Sequence, residues 1–154
     1  MSAHHATIDW SLGDGDFASG RYSRLHSLGF DGGIVVPGSA SPAVVPAPWS
    51  SADAVDPEAA FTAALSACHM LTFLDLARRA GFAIAAYHDT AEGTLARVAR
   101  GKMAVTRVVL RPAITWTGER RPTPAEIADL HHAAHETCFI ANSVTTEVVV
   151  EAAL

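Results

Sequence analysis

Two cysteines, Cys68 and Cys138, are the residues of this chain best suited to chemistry. The first sits in DPEAAFTAALSACHM, and the second closes the helix-like stretch HHAAHETC. Two isolated thiols add little to the stability of a chain this size. A pair set in two separate amphipathic segments therefore points to redox or metal chemistry. Each thiol also has a plainer reading, because free cysteine is among the most buried residue types and behaves as a small core hydrophobe. Cys138, expected near the C-terminal end of a helix, gets no help from the helix dipole, which there opposes a thiolate.

A metal site competes for the same atoms. His131, His135 and Cys138 recur at four and three residues, within roughly 60° of one helix face at 100° per residue. With Cys68 or His69 as a fourth ligand, the set suits zinc. His69 directly follows Cys68 and faces elsewhere on its helix, which weakens the set. The alternative is that His131 and His132 are exposed helix polars, with His135 at most a neighbour of the thiols. No CxxC, HExxH, GxSxG or phosphate-cradling glycine loop occurs, and no cofactor is expected.

The elements that must position these groups follow from punctuation and periodicity. ATIDWSLG, FASGRYSRLHSL and GGIVVPG read as short strands separated by the turn-forming GDGD and FDGG. Residues 37–56 are too rich in proline for a central strand or helix and predict a long ordered loop. Asp56-Pro57-Glu58 is a helix start, with a cap, a first-turn proline and an acid at the positive end of the dipole. That helix is expected to run to about Ala80, with Gly81 as its stop. Phe61, Leu65, Cys68, Leu71 and Leu74 repeat at helical spacing among alanines, which predicts a central helix buried around most of its circumference.

FAIAAYHDTAEGTLARVA and KMAVTRVVLRPAITWTG read as two longer strands in a hairpin around Arg100-Gly101. Thr123-Pro124-Ala125-Glu126 has the pattern of a capping box and starts a second helix expected to reach Ala141-Asn142. SVTTEVVVEAAL closes the chain as a β-branched strand. The order of strands, helix, strand pair, helix and strand argues a single α+β domain over residues 1–154, with antiparallel strands and two long helices.

Composition bounds the rest. At 154 residues the chain can bury a core without disulfide staples. Lys102 is the only lysine among eleven basic residues, the net charge is −5, and no basic stripe stands out, so nucleic acid is not an expected partner. No apolar run reaches the roughly 18–20 residues of a membrane span. MSAHHATIDW lacks the basic start and apolar stretch of a secretory signal. The cytoplasm is the expected location, where paired cysteines are more often catalytic or metal-binding than structural.

DPEAAFTAALSAC resembles the signature of the osmotically inducible protein C and organic hydroperoxide resistance (OsmC/Ohr) family, with a Pro-Glu ahead of an alanine-rich helix ending in Ala-Cys. Glu58 stands ten residues before Cys68, and Cys138 with Phe139-Ile140 and a final strand also fits. GFAIAAYHDTAEGTL and VVLRPAITW look like that family's middle strands. The likeness covers nearly the whole chain and includes the element order.

The resemblance implies a thiol peroxidase that reduces organic hydroperoxides without metal or haem. Cys68 would be the peroxidatic thiolate and pass through a sulfenic acid. Cys138 would resolve that acid to an intramolecular disulfide, which a small dithiol or dithiol protein reduces again. A thiol needs a cation to become a good nucleophile. The family supplies an arginine held by the glutamate that corresponds to Glu58. Arg21 and Arg24 in GRYSRLH are the candidates, and on a strand only one can face the thiol; Arg24 is favoured.

Glu58 and Cys68 would lie about 15 Å apart along a straight helix, so they cannot both touch one guanidinium. The resemblance implies intertwined homodimers with sites at the interface, which would let Glu58 and its arginine serve the partner's thiol. Phe61, Met70, Leu71, Phe73 and Phe139 are candidates to line an apolar substrate pocket, with Trp49 as a lid. Apolar residues at helical spacing are nonetheless most often core. A catalytically silent binding or structural dimer on the same scaffold is the remaining alternative.

Overall fold

The computed structural model describes residues 1–152. The chain gathers into two compact units, Met1–Ala60 and Phe61–Leu154.

In the first unit, β1 (Ala6–Asp9), β2 (His26–Phe30) and β3 (Val35–Gly38) form an antiparallel sheet in chain order. Asp31-Gly32-Gly33 makes the predicted turn, with Gly32 and Gly33 at φ of 83° and 78°, a region where a Cβ is strained. Gly38 pairs with His26 so closely that a Cβ would fall 2.4 Å from the imidazole Nε2. Beyond Gly38 the Pro-rich segment is a loop, as expected. It is tied back by Ser39 N–H to the Val55 carbonyl (3.1 Å) and Val55 N–H to the Pro37 carbonyl (2.9 Å).

The segment FASGRYSRLHSL is strand only from His26 onward. Before it the chain doubles back: Asp16 and Arg21 exchange backbone hydrogen bonds of 2.9 and 3.1 Å around a turn that ends at Gly20 (φ 76°). Contact of the Trp10, Phe17 and Tyr22 rings with one another, with centroids 5.0–6.2 Å apart, outweighs β-propensity here. The alternating-face argument for Arg21 and Arg24 therefore does not apply.

Helix α1 (Pro57–Arg79) starts as expected, with Asp56 Oδ1 accepting from the Ala59 N–H at 2.8 Å, and ends at Gly81, whose φ is 80°. Its buried positions Thr62, Leu65, His69, Phe73 and Ala77 form one stripe at three- and four-residue spacing. Burial around most of the circumference is thus not found within the chain, and Leu71 on another side is 63% exposed. The helix is also long and apolar enough to cross a membrane, where no such run was expected; the difference lies in counting its many alanines as apolar. Its buried stripe, with the Thr62 hydroxyl and the His69 imidazole, packs as a core helix does.

The two long strands expected next are four. β4 (Ala83–Asp89) pairs with β7 (Pro112–Thr117), while β5 (Glu92–Ala99) and β6 (Lys102–Leu110) form the hairpin around Arg100-Gly101. The ladder breaks where Pro112 has no N–H to donate and Asp89 turns its carboxylate to the Arg111 N–H (2.6 Å) and the Ser66 hydroxyl (2.5 Å). β8 (Glu147–Val150) joins β6 in parallel, a pairing that departs from the antiparallel expectation.

α2 (Pro124–Thr137) opens with the predicted capping box between Thr123 and Glu126. It stops at Thr137 rather than near Ala141, because Cys138 takes an extended conformation and a short 3-10 turn (Ala141–Ser143) follows. Phe73, Ala77, Phe82 and Ala134 form one core cluster, and Leu65, Val108 and Leu110 another.

Candidate active site

The apolar stripe of α1 and the buried face of α2 bring the two cysteines together. Cys68 is half-buried one residue before His69 on the stripe, and Cys138 is 1% exposed at the end of α2. Their thiols are neighbours close enough for each to act on the other, and neither is in a disulfide. The Thr72 hydroxyl donates to the Cys68 carbonyl at 2.9 Å, fixing the backbone that carries the first thiol.

The early end of α2 changes the electrostatics at Cys138. Because the residue caps the helix, the turn after it aims the Ala141 N–H at Sγ (3.5 Å), and the Ile140 N–H also favours a thiolate. Burial wins, however, and with the neighbouring Cys68 thiol it pushes the Cys138 thiol above its ordinary value. The buried sulfur thus keeps its proton at neutral pH, while the half-exposed one is open to a reactant.

Sequence reasoning missed what lies beside the thiols. His69 and His131 are 1% and 5% exposed, with Nε2 of the first 3.0 Å from Nδ1 of the second. Their rings lie 9° from parallel at 5.3 Å, and His131 stacks on Phe73 at 4.3 Å. Burial is the first cause that lowers both imidazoles to about 4, so both are neutral at pH 7. His131 is therefore not the exposed polar expected, although His132 is exposed. The available signal was spacing: His69 continues the Leu65–Phe73 stripe, and His131 sits one turn after buried Ile127.

The zinc arrangement is not assembled: among the described residues no group of three or more His, Cys, Asp and Glu is disposed to hold a metal. His131 turns to His69 and Cys138 to Cys68 instead. Of the apolar candidates, Phe73 is fully buried core rather than a pocket wall, Leu71 is exposed, and Phe139 is 82% exposed.

Arg24 and Glu58 belong to the first unit and the thiols to the second. The Arg24 guanidinium donates to the Gly20 and Tyr22 carbonyls and lies 3.7 Å over the Tyr22 ring, while the backbone N–H of Arg24 donates to the Trp49 carbonyl. It lines a cavity of about 340 Å³ with Trp10, Phe17, Tyr22 and His26. Arg21 is exposed and paired with Asp16 at 3.5 Å. Glu58 is in the first turn of α1, ten residues before Cys68 in the chain.

Residues 50–153 match the family model described as OsmC-like protein. No curated protein matches the sequence. Among solved structures, an OsmC-like protein of unknown function from Vibrio cholerae is 49% identical, with a TM-score of 0.96 over 99% of this chain and 100% of that one. An organic hydroperoxide resistance protein OsmC from Legionella pneumophila shares 18% identity and a TM-score of 0.72 over 100% of this chain and 98% of its own. The organic hydroperoxide resistance protein OhrB of Bacillus subtilis gives 16% and 0.68 over 99% and 98%. At such identities these last two share the fold alone.

Proposed function

The chain belongs to the OsmC-like protein family, and from that premise we propose that it is a thiol-dependent peroxidase of organic hydroperoxides. The observation that carries the reading is the juxtaposition of a half-exposed thiol with a buried, protonated one. The Cys68 thiolate attacks the distal oxygen of ROOH. The O–O bond breaks, RO⁻ leaves and takes up a proton as the alcohol, and Cys68 becomes a sulfenic acid. Cys138 then attacks that sulfur; its proton leaves with the hydroxide as water, and a Cys68–Cys138 disulfide forms. A dithiol, small or protein-borne, takes the bridge back to two thiols.

Arg24 is the guanidinium assigned to the thiolate and Glu58 the carboxylate that holds it, each acting on the partner's Cys68 in a homodimer. Two features support this. Glu58 stands ten residues before Cys68 on α1, about 15 Å along the axis of an ideal helix, and only 17% of the most apolar window of α1 is buried within the chain. A native chain found monomeric by light scattering, with activity intact, would overturn the dimer. The cytoplasm is the proposed location, following the use of two free cysteines.

The test counts free thiols per chain before and after one equivalent of cumene hydroperoxide and maps the linked peptide by mass. Loss of both thiols into a Cys68–Cys138 bridge is expected. Two unreacted thiols would remove the enzyme and leave a silent binding scaffold, a reading that the aromatic cavity around Arg24 favours.

A further inference from the structure

We propose that His69 and His131 are positioning residues, a buried hydrogen-bonded clamp that sets the helices bearing Cys68 and Cys138 in register for disulfide closure. The proposal rests on the peroxidase reading only in requiring that these two thiols form a bridge.

The placement carries it. His69 follows Cys68 directly on α1, and His131 stands two turns before Cys138 on the same buried face of α2. Between them runs a fully buried side-chain hydrogen bond that joins positions 62 residues apart. Phe73 and Ala77 of the first helix and Ala134 of the second share an apolar core cluster beside it. Apolar packing is non-directional and lets smooth helices slide or rotate by fractions of a turn. An imidazole–imidazole bond is directional and tolerates little displacement.

Two further facts make the register costly to leave. The second ring nitrogen of His131, Nε2, is buried without a partner among the described residues. A slip that broke the bond would thus leave His131 with no hydrogen bond at all, and an unpaired buried polar group is penalised more than a bond is rewarded. The stack of His69, His131 and Phe73 also fixes both ring planes, so the bond cannot follow a sliding helix. With both imidazoles neutral, one ring donates its N–H and the other accepts. A disulfide needs Cα atoms within about 7 Å and correctly aimed Cβ atoms, so this register decides how readily the bridge closes.

The experiment measures the effective concentration of the thiol pair, without any peroxide. Full-length protein is equilibrated with mixtures of reduced and oxidised glutathione, and the intramolecular bridge is quantified by mass. In that exchange the two protein thiols are oxidised, one glutathione disulfide is reduced, and two glutathione thiols carry away both protons. His69→Leu and His131→Leu are expected to lower the effective concentration at least tenfold, with His132→Leu unchanged. His69→Gln, whose amide nitrogen reaches the position of Nε2, should recover most of the loss. His69→Asn, too short to reach, should not.

A folded leucine variant with the wild-type value overturns the clamp, as does an equal loss in His132→Leu. Where the leucine variants do not fold, equal values for His69→Gln and His69→Asn overturn it. A wild-type chain that forms no bridge defeats the clamp and the peroxidase cycle together, whereas a wild-type bridge untouched by the variants defeats the clamp alone.

Discussion

The Cys138 thiol, 1% exposed, neighbours the half-exposed thiol of Cys68, and the burial of one against the access of the other separates their roles. Alkylation should follow that asymmetry. At pH 7 iodoacetamide is expected to modify Cys68 at least tenfold faster than Cys138, because the buried thiol is sterically shielded and its proton is held by burial. Peptide-resolved mass spectrometry over time checks this, and equal rates would contradict the geometry.

The buried imidazole pair predicts a specific acid sensitivity. His69 and His131 are both lowered to about 4, first by burial; the charge of His135 adds to this at His69 and that of His69 at His131, while Asp89 acts the other way on both. In the unfolded chain each titrates near the ordinary value of 6.5. Between those values the unfolded chain takes up protons that the folded one refuses, so stability falls as pH is lowered from about 6.5 to 4 and levels off outside that window. The slope is at most about 1.4 kcal/mol per pH unit for each imidazole. Urea midpoints at pH 7.5, 6, 5 and 4 measure it, and His69→Gln should flatten the curve. A midpoint independent of pH would refute the account.

Arg24 and Arg21 separate cleanly by experiment. If the guanidinium of Arg24 lowers the barrier to attack on the peroxide, Arg24→Gln should slow oxidation of Cys68 by cumene hydroperoxide on the order of 100-fold. Arg21, exposed and paired with Asp16 at 3.5 Å, should tolerate glutamine within about twofold. Stopped-flow rates of thiol loss compare them, and a reversal of the order would move the role to Arg21.

Most of the scaffold was legible because its signals are local. Asp56-Pro57, Gly81 and the Thr123–Glu126 box act within one turn of the chain, and each sits at the helix end it predicts. The hairpin at Arg100-Gly101 is equally local. What escaped the sequence depends on long-range partners. The strand break at Asp89 and Arg111 needs a carboxylate to find an N–H 22 residues away. The fold of residues 16–21 follows from rings of Trp10, Phe17 and Tyr22 meeting in space. The thiol pair was expected from a family likeness rather than from spacing, and the His69–His131 contact had no signal except two histidines on apolar stripes.

Gly93 offers the sharpest test of packing in the second unit. It lies on β5 opposite Val108, and a Cβ there would fall 2.3 Å from the Oγ1 of Thr62 on the buried stripe of α1. Thr62 is 8% exposed, so its hydroxyl has little room to withdraw, and the helix must be pushed off the sheet. Gly93→Ala is expected to cost about 1–3 kcal/mol, which lowers Tm by roughly 2–4 °C for each kcal/mol in a chain this size. Gly101→Ala is the contrast: nothing lies within 4 Å of its Cβ, and its φ of 73° alone sets the cost, about 1 kcal/mol. Because Gly93 holds the stripe that carries His69, its variant should also reduce the yield of the Cys68–Cys138 bridge, while Gly101→Ala should not. Thermal melts and glutathione equilibration of the two variants, run together, decide whether α1 is seated on the sheet through this contact.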